Sequence, residues 1–332
     1  MYIHLTLQGA QAHLENHRLR VTHQGQEVAA VPLGQIQGLV VWGRVHLTQP
    51  LMAALLERGI PVIFLTQNGR YRGRLQGPQT PHVALRRAQY RRLEESDWVL
   101  ETARGIVQAK LRHQRALLQR HGRRYGLQEQ ELEQAIQGLN QALRQTMRKR
   151  SLQSLRGVEG AATRWYFRGF RVLLRAPWTF PGRRRRPPTD PVNALLSLGY
   201  TLLTQKAVAA VEAVGLDPYA GVFHQERYGR PALALDLAEE FRPVVDGVVL
   251  KILHQGVLSP EDFLLDEAGG ARLRREALRT FLKAFESRFT QRFRHPVRRQ
   301  MLTLNQCLVE QAHQLARRIE QGLPGYQGMG FR

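Results

Sequence analysis

The chain has 332 residues, a formal net charge of +22 and an apolar fraction of 43%, so it is long enough for one large domain or two ordinary ones with a sizeable core. The charge and a pI near 11.3 predict a polyanionic partner. No stretch approaches the roughly eighteen continuous apolar residues of a membrane span, and the alternating N-terminal residues 2 to 7 lack the pattern of a signal peptide.

Cysteine and lysine are both rare. Cys307 is the only cysteine, which excludes an intrachain disulfide and thiolate metal clusters and favours a reducing, cytoplasmic setting. Five of the 49 basic residues are lysine. The codons of a GC-rich genome favour arginine, and this explains the ratio of arginine to lysine better than function does. Codon usage does not explain the size of the net charge.

The first eighty residues carry strand patterns. Apolar and polar residues alternate over residues 3 to 8, and Asn68-Gly69 is a tight-turn signal. Further β-rich runs are predicted at 28–31, 39–42, 61–65 and 71–75, with one short helix at 50–58. We therefore predict a small β-rich domain over residues 1–78, which would supply dimerisation, and a linker over 79–85.

Helical spacing dominates after the linker. Helices are predicted at 98–121, 128–150, 152–174, 191–214, 231–253, 272–289 and 297–321, with a further helix start at Ser259-Pro260. The Gly-rich end, residues 322–330, predicts a flexible tail. We therefore predict the fold class α+β, with an all-α domain over 86–332.

Four consecutive arginines, Arg183, Arg184, Arg185 and Arg186, are flanked by prolines. Such a segment is either a solvated, extended linker or a mobile arm that binds phosphates. The second interpretation is favoured slightly, because four arginines beside an active site would raise the local concentration of a polyanion.

Two stretches carry the candidate chemistry. Glu159 lies between Gly157 and Gly160 in a segment of helical pattern, where each glycine weakens the helix by roughly 1 kcal/mol relative to alanine. Close approach of backbone or nucleic acid would explain them, although a lone glutamate is more often a surface residue. Asp236 and Glu239 are three residues apart among leucines, on one helix face.

The second stretch leaves two interpretations open. Asp236 and Glu239 could be helix-surface acids paired with Arg230 and Arg242, or members of a metal site with His224. Carboxylates with one imidazole suit Mg²⁺ or Mn²⁺, with Mn²⁺ better matched to the imidazole. A GxxxxGK[ST] phosphate loop, a GxSxG elbow and Cys/His zinc patterns are absent from the sequence.

The chain resembles the CRISPR-associated integrase that acquires new spacers, the first-numbered Cas protein. The resemblance covers nearly the whole length and is carried by separate motifs in the family's order: Gly157-Val158-Glu159-Gly160, Asp190 to Ser197, Gly215 to Tyr219, Gly229-Arg230-Pro231 and Leu235 to Pro243. It departs from the family at Ala232, where a hydroxyl is frequent, and at Leu198, where an aromatic is frequent.

The resemblance implies a small N-terminal β domain and a larger helical domain. It places the metal ligands on Glu159, His224 and Glu239, and a further acidic position on Asp236, which could bind water, a second ion or a neighbouring donor. Asn193 falls in a motif near the active centre. We expect Arg164, Arg230 and the arginines 183 to 186 to contact DNA.

The resemblance also implies partners and a reaction. A homodimer would join a dimer of the second Cas protein, capture short DNA fragments and use their 3′-hydroxyls to attack phosphodiesters at the ends of a CRISPR repeat. Two alternatives remain open: a structure-selective nuclease acting on branched DNA in repair, and a non-enzymatic DNA-binding scaffold whose acids only balance arginines.

Overall fold

The computed structural model describes residues 1–78, 80–184, 187–266 and 269–330. The chain forms two compact units, Met1–Gln79 and Thr80–Arg332. Residue 79 of the predicted linker lies outside the described residues. Residues 83 to 85 of that linker already belong to the first helix of the second unit, which begins at Val83.

Over residues 1–78 the first unit contains two four-stranded sheets and one α-helix. The elements are β1 Tyr2–Leu5, β2 Gln11–Glu15, β3 Arg18–His23, β4 Gln26–Pro32, β5 Gly38–Trp42, β6 His46–Leu47, α1 Gln49–Glu57, β7 Val62–Leu65 and β8 Tyr71–Leu75. One sheet has the order β1-β5-β7-β8 and the other the order β4-β3-β2-β6. In the first sheet β1, β5 and β7 are parallel and β8 is antiparallel.

The core of this unit explains why these segments became strands. All five residues of β5 are buried, as a central parallel strand requires, and helix α1 covers the core with Leu51 and Leu55. The predicted strands and the predicted helix at 50–58 are present. Strands β2 and β3 were not predicted, because their polar residues outnumber the inward-facing ones such as Leu19 and Val21.

The second unit is built from eight helices among its described residues. They are α2 Val83–Glu94, α3 Ser96–Tyr125, α4 Gln130–Thr146, α5 Leu152–Val172, α6 Pro191–Val214, α7 Ala232–His254, α8 Arg275–Thr290 and α9 Leu304–Gln321. Together with the strand-rich first unit they confirm the α+β class. Helix α2 was not predicted.

Local signals set the helix ends. Ser151 caps α5 by accepting a hydrogen bond from the backbone N–H of Ser154, and Asp190 caps α6 in the same way with Pro191 in the first turn. Gly126 and Gly215 end α3 and α6 in the left-handed conformation. Helix α6 is long and apolar enough to cross a membrane by length and composition, and most of it is buried inside the unit.

Two short hairpins interrupt the helical unit. Strands β9 Phe263–Leu265 and β10 Ala271–Leu273 pair, as do β11 Phe293–Arg294 and β12 Met301–Leu302. The start signal at Ser259-Pro260 produces only one 3₁₀ turn before β9. The helix predicted from 297 begins only at Leu304, where Thr303 forms a capping box with Gln306.

The described C-terminal residues, for which the sequence predicts a flexible tail over 322–330, pack against the helical unit. The side chains of Tyr326 and Met329 are buried, and the Trp98 indole donates a hydrogen bond of 3.0 Å to the carbonyl of Leu323. The reason is Glu240, a fully buried carboxylate that needs donors. It accepts hydrogen bonds from the Tyr326 hydroxyl, at 2.6 Å, and from the Met329 backbone N–H.

Tyr326→Phe tests this anchoring. We expect the free energy of unfolding to fall by roughly 1–3 kcal/mol, because a buried carboxylate loses a charge-assisted donor. Urea unfolding of the whole chain measures the change. Tyr90→Phe is the matched control, because the exposed Tyr90 hydroxyl donates 2.8 Å to Asp217 Oδ2 at the surface. Equal losses in the two variants would show that the C-terminal segment does not stabilise the helical unit.

Candidate active site

The candidate site lies where α3, α5, α7 and the loop before α7 meet. Helix α5 supplies Glu159, α7 supplies Asp236 and Glu239, and the loop supplies His224. The structure brings all four predicted residues together, and it adds Lys110 of α3, which the sequence did not identify. Lys110 Nζ forms ion pairs with Glu159 Oε1 and, at 2.7 Å, with Glu239 Oε2.

Burial makes these charges interdependent. The side chains of Lys110 and Glu239 are 7% and 5% exposed, and that of Glu159 is 20% exposed. Burial alone would raise the pKa of Glu239, but the charges of Arg242, Lys110 and His224 hold that pKa below its ordinary value. Burial alone would lower the pKa of Lys110, but Glu239 and Glu159 raise it. Glu239 is therefore ionised beside a charged Lys110 ammonium.

Asp236 orients the imidazole of His224. Its Oδ2 accepts hydrogen bonds from the backbone N–H groups of Val222 (2.6 Å) and Phe223 (2.9 Å), and its Oδ1 accepts from that of His224 (2.9 Å). Oδ1 also lies 2.7 Å from His224 Nδ1. This leaves His224 Nε2 facing the site, 3.7 Å from Glu239 Oε1. The sequence left open whether Asp236 binds water, a second ion or a neighbouring donor. In the structure it contacts neighbouring donors, the backbone N–H groups of residues 222–224.

A second layer lies behind Glu239. Arg242 Nε is 3.1 Å from Glu239 Oε1, and the guanidinium carbon of Arg242 lies 4.8 Å from the centre of the Tyr200 ring. The hydroxyls of Tyr200 and Tyr166 each donate a 2.5 Å hydrogen bond to Asp246. Burial raises the pKa of Asp246 to about 6 against the opposing effect of those hydrogen bonds. Arg242, Tyr200, Tyr166 and Asp246 were not predicted as site residues.

The two glycines beside Glu159 leave open space. A Cβ atom at Gly157 or at Gly160 would have no atom within 4 Å apart from its chain neighbours and the nearby backbone of its own helix. The expected close approach of this chain's own backbone is therefore absent at both positions, within the described residues. The free surface beside Glu159 is consistent with the other expectation, approach of a nucleic acid.

The predicted DNA-binding arginines differ in their surroundings. Arg164 is exposed on α5, five residues after Glu159, and Arg230 is half-buried just before α7. Arg183 is held in place, because its guanidinium donates to Asn193 Oδ1 (2.8 Å) and to Ser197 Oγ (3.0 Å). Arg184 is exposed, with its backbone N–H bound to the same Asn193 oxygen at 2.9 Å. Arg185 and Arg186 lie outside the described residues.

Hydrogen bonds therefore tie the Arg183 side chain to the start of α6. Asn193 is fully buried and also donates from Nδ2 to the carbonyl of Gly182 at 2.8 Å. Its amide connects the start of the arginine segment to the start of α6. This contact gives a structural role to the Asn193 motif.

The donor set fits a divalent cation in its chemistry. Two carboxylates and one imidazole are ligands suited to Mg²⁺ or Mn²⁺, and buried Glu239 Oε2 has no aligned hydrogen-bond donor despite its short ion pair with Lys110. Among the residues that the structure describes, no three His, Cys, Asp or Glu side chains are grouped closely enough to hold a metal. The Lys110 ammonium lies between the two carboxylates where such an ion would bind.

Comparisons with known proteins identify the family of this chain. The profile of the family CRISPR associated protein Cas1 matches residues 3–287. A protein of Thermus thermophilus, "CRISPR-associated endonuclease Cas1 1", is 41% identical over 298 residues, which cover 90% of this chain and 89% of that protein.

Solved structures show the same fold. A chain of the "Cas6-RT-Cas1–Cas2 complex" matches with a TM-score of 0.81 and 29% identity, covering 97% of this chain and 35% of that chain. A "Casposase bound to integration product" matches with a TM-score of 0.86 and 23% identity, covering 99% of this chain and 92% of that one. The family profile and the Thermus relative together show that this chain belongs to the Cas1 family of CRISPR associated proteins.

Proposed function

We propose that the chain is a metal-dependent DNA integrase and endonuclease of CRISPR adaptation. The observation that carries the proposal is that Glu159 and Glu239 both pair with the Lys110 ammonium, while His224 Nε2 lies 3.7 Å from Glu239 Oε1. The chain has a net charge of +22, which would attract the phosphates of DNA to the protein. The relative that is named an endonuclease matches the chain over the whole region that contains these residues.

Glu159, His224 and Glu239 would hold Mg²⁺ or Mn²⁺. When bound, such an ion polarises a phosphodiester and favours the ionised form of an attacking hydroxyl or water. Lys110 would then have to withdraw, because its ammonium lies between the same carboxylates. Asp236 would keep His224 in one orientation by binding Nδ1, so that Nε2 remains available to the site.

The reaction would be transesterification. The 3′-hydroxyl of a captured DNA fragment attacks the phosphorus at a repeat border, one new phosphodiester forms, and the 3′ oxygen of the cut strand leaves and takes up a proton. Water in place of the hydroxyl gives hydrolysis. Arg164, exposed one and a half turns from Glu159, and Arg230 would contact neighbouring phosphates.

The proposed assembly is a cytoplasmic homodimer that joins a dimer of the second Cas protein and binds double-stranded DNA. The matching chain in a complex whose name includes Cas1 and Cas2 supports this partner. The edge strands β4 and β8 of the first unit carry exposed or half-buried residues that a second copy could cover.

A joining assay separates the proposal from its alternatives. The purified chain, its Cas2 partner and Mn²⁺ are given labelled duplex fragments with 3′-hydroxyls and a plasmid that carries the repeat array. We expect joined products at the repeat borders, and none with fragments that end in a 3′-phosphate. Cutting of branched DNA without joining would support a repair nuclease, and chelator-insensitive binding with no product would support a scaffold.

A further inference from the structure

The three helices that carry the site run in the same direction. At one level, Lys110 of α3 contacts Glu159 of α5 and Glu239 of α7. Further along all three helices, Tyr125 of α3 lies near Arg175, just after α5, and near His254 at the end of α7. At 1.5 Å per residue, the 15 residues that separate the two levels on α3 and on α7 correspond to about 22 Å.

A group of basic and aromatic side chains occupies this far level. We call Arg120, His121, Arg124, Tyr125, Arg175 and His254 the distal basic cluster. The Tyr125 ring is at its centre: the guanidinium carbons of Arg175 and Arg124 lie 4.6 and 5.8 Å from the ring centre. The rings of His254 and His121 have centres 4.5 and 6.0 Å away.

The distal basic cluster contains cations without acids. Among the described residues, no carboxylate forms an ion pair with Arg120, Arg124 or Arg175, and all three arginines are exposed. His121 is 8% exposed, and neither of its ring nitrogens has a hydrogen-bond partner. Burial, together with the positive charges of Arg120, His254 and Arg124, lowers the pKa of His121 to about 4.

The surrounding contacts fix the cluster in place. His254 Nε2 lies 2.7 Å from the carbonyl oxygen of Leu173, which joins the end of α7 to the end of α5. Like charges held together by rigid helices repel one another unless an anion lies between them. Arginines spread over an aromatic ring present parallel N–H groups that match phosphate oxygens.

We infer that the distal basic cluster binds a phosphodiester backbone, at a second contact about 22 Å from the active site. The inference rests on the proposed function for the identity of the anion, which is duplex DNA. At about 3.4 Å per base pair, that distance corresponds to roughly six base-pair steps. The cluster would therefore hold the flank of a duplex whose end reaches the active site.

Binding to DNA hairpins of two stem lengths tests the inference. Fluorescence anisotropy in chelator, at several salt concentrations, compares stems of about five and about twelve base pairs, which fall below and above the expected span. The variant is Arg124→Gln with Arg175→Gln in the full chain. The control is Arg87→Gln with Arg91→Gln, which removes two exposed arginines from α2.

For the long stem we expect the double variant to lose about tenfold in affinity and its salt slope to decrease by about 1.8, since each lost phosphate contact removes about 0.9. Binding of the short stem should change little. Three results would overturn the inference: an equal loss for both stems, an equal loss in the control, or no loss.

These measurements use no metal and no joining reaction, so they are independent of the catalytic proposal. If the double variant loses affinity for the long stem but not for the short one, and the wild-type protein fails to join DNA, only the proposed function is refuted. If the wild-type protein joins DNA but the double variant binds both stems equally well or loses affinity for both equally, only the distal contact is refuted.

Discussion

Glu159→Gln should reduce both DNA cutting and strand joining at least about a thousandfold, because the several kcal/mol of transition-state stabilisation that a bound divalent ion supplies would be lost. The substitution keeps the size and shape of the side chain and removes its charge. Duplex binding should not weaken, since the chain loses a negative charge from a surface that attracts phosphate. Single-turnover joining and anisotropy on the same preparation measure the two effects separately.

Glu131→Gln is the matched control. Glu131 makes an exposed ion pair of 2.6 Å with Arg171, away from Lys110 and its partners, so the same chemical change there should leave joining and binding intact. His224→Ala should lose activity as Glu159→Gln does, because the imidazole is the third proposed ligand. Joining at the normal rate by either site variant would remove that residue from the metal site.

Lys110→Met should destabilise the metal-free protein by about 3–5 kcal/mol, the usual cost of removing one partner from a buried ion pair. The substitution leaves the carboxylates of Glu159 and Glu239 close together without their shared cation. Mn²⁺ should restore most of the loss, because the ion would take the place of the ammonium. We therefore expect a larger Mn²⁺-induced rise in Tm for the variant than for the wild type.

Lys206→Met separates this effect from the general cost of losing a buried lysine. Lys206 is 4% exposed and lies 3.0 Å from Glu286 Oε2, so its loss should also destabilise the chain. Among the described residues the printed ion pair leaves one carboxylate, Glu286, at this position, and Mn²⁺ should give no rescue. Equal Mn²⁺ effects in both variants and in the wild type would show that Lys110 does not occupy the ion's position.

The sequence identified the acidic and imidazole residues of the site through the motifs that surround them. Glu159, His224 and Glu239 are up to 80 residues apart in the chain, and no local pattern shows that they meet. Family motifs supplied that information. The helical period did predict correctly that Asp236 and Glu239 share a helix, whereas the hydrogen bonds of Asp236 to the 222–224 loop depend on tertiary contacts.

Lys110 could have been found from its position on α3. It follows Ala103, Ile106 and Val107 on the buried side of the helix, and a lysine in such an apolar stripe needs a buried partner. The sequence could not show that Lys110 has two carboxylate partners, because Glu159 and Glu239 come from two other helices. The sequence therefore gives a reason to search for a partner of Lys110 but does not identify it.

The packing of the C-terminal residues was not predicted, for a physical reason. Five glycines and prolines among residues 322–330 are typical of a flexible segment. The buried carboxylate of Glu240 overrides this local preference, because it requires the donors that the segment supplies. The contacts of Arg183 were not predictable either: a run of arginines suggested repulsion and mobility, and the tertiary fold brings Asn193 and Ser197 close enough to accept its hydrogen bonds.

Anomalous diffraction from crystals grown with Mn²⁺ tests the central claim most directly. We predict one strong peak bounded by the carboxylates of Glu159 and Glu239 and by His224 Nε2, with the Lys110 ammonium moved away from the position it occupies between those carboxylates. A crystal containing Mn²⁺ elsewhere, with Lys110 still bridging Glu159 and Glu239, would contradict the assignment of these three residues as metal ligands.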